Sequence, residues 1–203
     1  MEILIMERQD VKIKNITTIA DTPYLKMYNA EYTNKFGATK NWSIASRKPL
    51  ETIENIFFNG EEGKIDAVII VATHIDENKL VVIKQFRVPL NDYVYEIPAG
   101  LIDAGEDFET TVRRELKEET GLDLVEIDYE KTKSKLYIST GMTDESVALV
   151  YCNCNGEISD DDLEDDEDIE VKLVSKEEAK EIIASSEKID IKALLVIQNF
   201  LAI

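Results

Sequence analysis

Three glutamates, Glu115, Glu118 and Glu119, stand at i, i+3 and i+4 inside the segment Gly100–Leu122, GLIDAGEDFETTVRRELKEETGL. On a helix that spacing projects all three from one face. Carboxylates so close repel one another, and two readings account for them. One is a solvated acidic face with Arg113, Arg114 and Lys117 as ion-pair partners. The other is a cage for hard divalent cations, which take several oxygen ligands. The helix itself is well marked. Glu106, Asp107 and Glu109 lie at its N-terminal end, where the macrodipole favours anions. Gly121 stands where a C-terminal glycine belongs. Phe108, Val112 and Leu116 recur every four residues as a buried stripe, so a helix is predicted over about Phe108–Thr120.

The fixed residues of this segment decide between the readings. Gly100, Glu106, Arg114, Glu115, Leu116, Glu118, Glu119, Gly121 and Leu122 fall at every defined position of the Nudix box. The chain therefore resembles the Nudix hydrolase superfamily. The resemblance implies an α/β fold, the Nudix α/β/α sandwich with a mixed sheet between helices. It implies that Glu115 and Glu119 bind Mg²⁺ or Mn²⁺ directly, that Glu118 binds metal or holds its waters, and that the Ala99 carbonyl completes the shell. Gly100, Glu106, Arg114 and Gly121 take structural roles in the box.

The resemblance extends outside the box. Lys84-Gln85-Phe86-Arg87 and Tyr95-Glu96-Ile97-Pro98-Ala99-Gly100-Leu101-Ile102-Asp103 are similar to the ADP-ribose and ADP-sugar pyrophosphatase branch. That branch carries an N-terminal β domain that builds a swapped homodimer. The implied substrate is a small-molecule nucleoside diphosphate derivative, with ADP-ribose giving AMP and ribose 5-phosphate. Another nucleotide-sugar, a dinucleotide, or a non-catalytic ligand sensor are the alternatives, and the full set of box glutamates speaks against the sensor. Trp42 and Arg47 match in spacing an aromatic that stacks on adenine and an arginine that contacts substrate. The other reading of Trp42 is a core or interface aromatic, and of Arg47 a surface charge beside a strand. Arg87 is expected to touch substrate. In one place the chain departs from the branch: Ser139-Thr140-Gly141 stands where the branch often shows Ser-Pro-Gly. In that branch a loop before the penultimate strand carries the carboxylate that activates water; the acidic run Ser159–Asp168 reads either as a solvated, mobile loop or as that one, and then offers Glu167 first and Asp165 next, with Glu145 as a third candidate.

Elements on either side must position these groups. The first fifty or so residues read as β ribbons: Val11–Ile19, Tyr24–Tyr32 and Thr39–Arg47, broken by Asp21-Thr22-Pro23 and Lys35-Phe36-Gly37. So small a sheet is marginal alone and should pack on something. Asn59-Gly60-Glu61-Glu62-Gly63 reads as a boundary, giving an N-terminal β domain at 1–58 and a catalytic domain at 59–203. A hairpin is expected from Ala67–Thr73 and Leu80–Phe86. Strands follow at Tyr93–Ile97, Val125–Leu136, Val147–Cys152 and Glu170–Val174. The chain closes on two helices, the first capped by Ser175 with Glu178 as a capping box and the second over about Ile191–Leu201.

Bulk composition narrows the partners. The chain of 203 residues has 44% hydrophobic residues, enough for a core, and a net charge of −19, which disfavours nucleic acid as a general partner. An anionic substrate must then be met by local cations, either bound metal or a few arginines. No apolar run approaches the ~18 residues of a membrane span. Cys152 and Cys154 are too few for a disulfide framework or a zinc site. Their i, i+2 spacing suggests two reduced core thiols, and a cytoplasmic protein is expected. His74, the one histidine, leaves little material for a Ser-His or Cys-His nucleophile.

Overall fold

The computed structural model describes residues 12–164 and 167–202, which fall into two compact units. The first comprises residues to Lys64 together with Tyr137–Ser146. Its strands β1 (Lys12–Asp21), β2 (Lys26–Thr33) and β3 (Thr39–Ser46) form one antiparallel sheet in sequence order. Val11, expected to open β1, lies outside the described residues. Helix α1 (Leu50–Phe58) follows Pro49, which holds the N-cap position. Ile16, Tyr28 and Ile53 form a small core with Ile44, Leu50 and Phe57 against it, and the Tyr28 hydroxyl donates to the Lys48 carbonyl at 2.8 Å.

The segment 137–146 belongs to this unit through backbone bonds that its sequence position does not announce. Ala45 N–H donates to the Met142 carbonyl at 2.8 Å, and Ala45 bridges Thr143 in parallel fashion. The anticipated domain boundary at 58/59 treats this stretch as part of the catalytic domain, whereas the compact units divide after Lys64 and include it with the N-terminal strands.

The second unit holds a nine-stranded mixed sheet. β4 (Ala67–His74) and the Leu80–Ile83 stretch of β5 (Lys79–Arg87) are apolar and rich in β-branched residues, as strands buried on both faces require. They meet as a hairpin at Thr73–Leu80 and His74–Lys79. Beyond the hairpin their partners differ. β4 pairs in parallel with β10 (Ser146–Asn155) and antiparallel with the short β7 (Ala99–Leu101). β5 lies between β6 (Asp92–Glu96) and β11 (Ile169–Val174), with Ile83 opposite both Glu96 and Val171. β12 (Lys188–Ile189) extends the sheet beside β6. The expected strand 125–136 is two strands, β8 (Asp123–Ile127) and β9 (Lys133–Tyr137). Asp128 breaks it, because its carboxylate accepts from the backbone N–H groups of Glu130 and Lys131 and closes a turn.

Helices cover both faces. On one, α2 (Phe108–Thr120) buries Val112 and Leu116 against Val68, Ile70, Val81 and Val150. On the other, α3 (Lys176–Ala184) and α4 (Ile191–Ala202) bury Ile182, Val196 and Ile197 against Ile69, Val82 and Tyr95. This is the α/β/α arrangement expected from the sequence. Each fully buried Leu or Val contributes roughly 1.5–3 kcal/mol, so α2 is fixed to the sheet by its apolar stripe and its acidic residues are free to serve other ends. Among the described residues no helix is long and apolar enough to cross a membrane.

Candidate active site

Helix α2 presents the carboxylates. Asp107 caps its start, accepting from Thr110 N–H at 2.9 Å, and Gly121 ends it at φ 74°, a left-handed conformation that glycine adopts without strain. A β-carbon on Gly121 would also lie 2.4 Å from the Ser159 nitrogen. Here the acidic loop departs, with Ser159 N–H bonded to the Thr120 carbonyl at 3.2 Å. The loop's start is held a second time by His74, whose ring Nε2 lies 3.0 Å from the Gly156 carbonyl.

Arg114 organises the box. Its Nε and Nη2 grip Glu106 at 3.1 and 3.0 Å, and Nη2 also reaches the Leu101 carbonyl at 3.0 Å. Its Nη1 donates to Glu115 at 2.7 Å and to Glu118 at 2.9 Å. The Arg114 guanidinium, assisted by the Thr111 hydroxyl, pulls the Glu106 carboxyl down to about 2. Burial acts the other way on Glu115 and Glu119. It raises Glu115 above the usual carboxylate range, against the opposing pull of Arg114. It raises Glu119 much further, and the charges of Glu115 and Glu167 add to the effect. Glu119 is 2% exposed and accepts from Ala99 N–H at 3.1 Å.

Gly100 is required where it stands, since a β-carbon there would fall 1.8 Å from the Glu115 carboxyl carbon. The backbone of β7 thus lies directly on the Glu115 carboxylate. Among the described residues no three acidic, histidine or cysteine side chains converge as a ready-made metal cluster. Arg114 draws Glu115 and Glu118 to itself, while Glu119 accepts from Ala99 N–H. The donor set nevertheless suits a hard divalent cation. One guanidinium faces Glu106, Glu115 and Glu118, and the buried Glu119 has no ion pair among the described residues. Such a surplus of buried negative charge is costly without a further cation.

Other expected residues are distributed as follows. Arg87 forks onto Glu96 at 2.7 and 2.9 Å, and its charge reaches Glu119. Glu167 is half-buried, and its charge raises both Glu115 and Glu119, so this part of the acidic loop shares their surroundings. Asp165, together with Asp166, lies outside the described residues. Within the N-terminal unit, Arg47 and Glu145 are paired with each other at 2.8 Å. Trp42 is half exposed and donates its indole N–H to the Gly141 carbonyl at 3.1 Å. Its ring lines a mostly apolar cleft of about 310 Å³ with Ile44, Phe57, Tyr137 and Met142. Glu96 was not singled out from the sequence, although a carboxylate between Tyr95 and Ile97 in an apolar strand calls for a cationic partner.

A mixed sheet between helices, with the carboxylate helix laid against a glycine strand, defines a hydrolase of the Nudix type. The NUDIX domain family matches residues 63–195, and the chain belongs to that family. It is 35% identical over 147 residues to the ADP-ribose pyrophosphatase of Bacillus subtilis (strain 168), covering 69% of this chain and 77% of that one. It is 30% identical over 146 residues to the methanol dehydrogenase activator of Bacillus methanolicus, covering 69% and 77% respectively. Among solved structures, an ADP compounds hydrolase superposes with a TM-score of 0.68 over 97% of this chain and 96% of the other, at 18% identity, which speaks to the fold.

Proposed function

We propose that the protein hydrolyses the pyrophosphate bond of a nucleoside diphosphate joined to another group, with ADP-ribose as substrate and AMP and ribose 5-phosphate as products. The observation that carries this reading is the buried carboxylate pair Glu115 and Glu119, packed against Gly100 and Ala99 with too few cations to balance it. The kinship with an ADP-ribose pyrophosphatase supports the choice of substrate. Nudix hydrolases generally use divalent metal. Here Glu115, Glu119 and the Ala99 carbonyl would hold Mg²⁺ or Mn²⁺, with Glu118 a ligand or holding its waters. Bound there, the metal would neutralise charge on the phosphates and lower the pKa of water.

The chain's own residues supply the remaining parts. Glu167 takes the proton of the attacking water as general base; Asp165 and Glu145 are the other candidates, and Glu145 is engaged by Arg47. Arg87, held in a fixed plane by Glu96, offers its remaining N–H groups to a phosphate oxygen. Trp42 stacks on the adenine, and Arg47 contacts the substrate. The N-terminal unit leaves Leu25, Met27 and Trp42 exposed, which supports a homodimer burying them. Cys152 and Cys154, both free and buried, support a cytoplasmic setting.

A panel of ADP-ribose, ADP-glucose, other nucleoside diphosphate sugars and dinucleotides, each with Mg²⁺ or Mn²⁺, tests the proposal by product identification. ADP-ribose is expected to give the highest kcat/KM. Faster turnover of another member would move the assignment to that substrate. Binding without turnover of any member would favour a ligand sensor.

A further inference from the structure

Gln85 lies in β5, two residues before Arg87, and is only 7% exposed. Its side-chain Oε1 is buried and has no hydrogen-bond partner among the described residues. A buried acceptor left unmet destabilises a fold, and such atoms are rare. An apolar side chain of the same length would avoid that cost, so the amide calls for an explanation outside the fold.

The register shows what surrounds it. Side chains at alternate positions of a strand share a face, so Gln85 shares the α2-facing side of β5 with Val81, which packs in the α2 core, and with Arg87. Across the sheet, Gln85 is opposite Val94 on one side and Ile169 on the other. Val94 shares its face of β6 with Glu96, the carboxylate gripped by Arg87. Ile169 comes two residues after Glu167, and the intervening Asp168 carbonyl is bonded to Phe86 N–H at 3.0 Å, which fixes the end of the acidic loop beside Gln85. The residues directly opposite Gln85 are thus Val94 and Ile169, with Glu96 and Glu167 each two positions away along their own segments and Arg87 two positions on in β5. No donor among the described residues serves its Oε1.

We propose that Gln85 is a positioning residue for hydrolysis, its Oε1 accepting a hydrogen bond from a water of the reaction site between the Arg87–Glu96 pair and Glu167. The inference rests on the pyrophosphatase reading given above. The amide takes no part in bond making. It orients a water whose proton goes to the carboxylate base.

The test is Gln85→Met, which keeps the unbranched length and removes the polar atoms, with Gln85→Asn beside it. Melting temperature, kcat and KM for ADP-ribose are measured with Mg²⁺. Gln85→Met is expected to melt about 2–4 °C higher than wild type, as relief of one unmet buried acceptor implies for a chain of this size. Its kcat is expected to fall about tenfold, the value of one hydrogen bond in the transition state, with KM within twofold. Gln85→Asn keeps the amide but withdraws it, and is expected to lose kcat without gaining stability. A purely structural amide would not separate stability from turnover in this way. Unchanged kcat in Gln85→Met would overturn the inference and leave the pyrophosphatase reading standing. A fall in stability alongside activity, or failure to fold, would also overturn it, by showing that the amide has a structural partner. An inactive wild type across the nucleotide panel would overturn both.

Discussion

Glu119→Gln should make the metal-free protein more stable while abolishing its catalysis. Glu119 is 2% exposed, and Ala99 N–H at 3.1 Å is its hydrogen-bond donor. Burial, Glu115 and Glu167 all raise its carboxyl; Ala99 N–H and Arg87 oppose them only in part. An unpaired buried carboxylate carries a penalty of several kcal/mol after relaxation, and partial compensation leaves about 2 kcal/mol to be recovered by a neutral amide of the same shape. For a chain of this size, that is a rise of about 4–8 °C in melting temperature. Gln retains the carbonyl oxygen that Ala99 N–H requires, so the fold loses no partner. The sign with pH follows from linkage. A carboxyl whose folded-state pKa lies above its unfolded value binds protons on folding, so wild-type stability falls as pH rises from the ordinary carboxylate range through the raised value. The variant should lack that part of the slope. Thermal denaturation in excess chelator across pH, with hydrolysis assayed at saturating Mg²⁺, measures both consequences. A variant less stable than wild type without metal, or one with near-normal turnover, would refute the reasoning.

Three further outcomes are expected. Gly100→Ala should cut kcat/KM at least a hundredfold while the chain stays folded, since its β-carbon would lie 1.8 Å from the Glu115 carboxyl carbon and must displace it; unaltered steady-state kinetics would show that the position of Glu115 is unimportant. Arg114→Met should remove an acid-range term from stability: Glu106, held at about 2, stabilises the fold above the ordinary carboxylate value and loses that contribution as pH falls towards about 2, so acid titrations of the two proteins should diverge above this window and converge below it. Trp42→Ala should raise KM for ADP-ribose roughly tenfold with a smaller change in kcat, as base stacking worth on the order of 1–3 kcal/mol implies; an unchanged KM would return Trp42 to a packing role.

Much of this is legible in the sequence. The helix over Phe108–Thr120, its Asp107 end and its Gly121 stop follow from spacing, capping chemistry and one left-handed position. The capping box at Ser175 and Glu178 is present as expected. These features are local, and local chemistry is what a sequence displays. The misses are of another kind. Helix α1 begins at Leu50, after Pro49, and buries Ile53, a pattern too short to stand out beside three ribbons. The single strand expected over 125–136 is divided by the Asp128 turn. At the site, helical spacing puts Glu115, Glu118 and Glu119 on one face, but it could not show that Arg114 takes two of them while burial isolates the third. Nor could it show Arg87 forked onto Glu96, or Arg47 joined to Glu145, because those pairs depend on register and on segments far apart in the chain.

The measurement that bears most directly on the central claim is a titration of Mn²⁺ into metal-free protein, followed by calorimetry and by release of AMP from ADP-ribose in the same samples. AMP and ribose 5-phosphate are expected to appear in proportion to Mn²⁺ occupancy and to vanish in excess chelator, with Glu119→Gln failing in both readouts. Undiminished hydrolysis in chelator, or Mn²⁺ binding that Glu119→Gln leaves intact, would contradict the account.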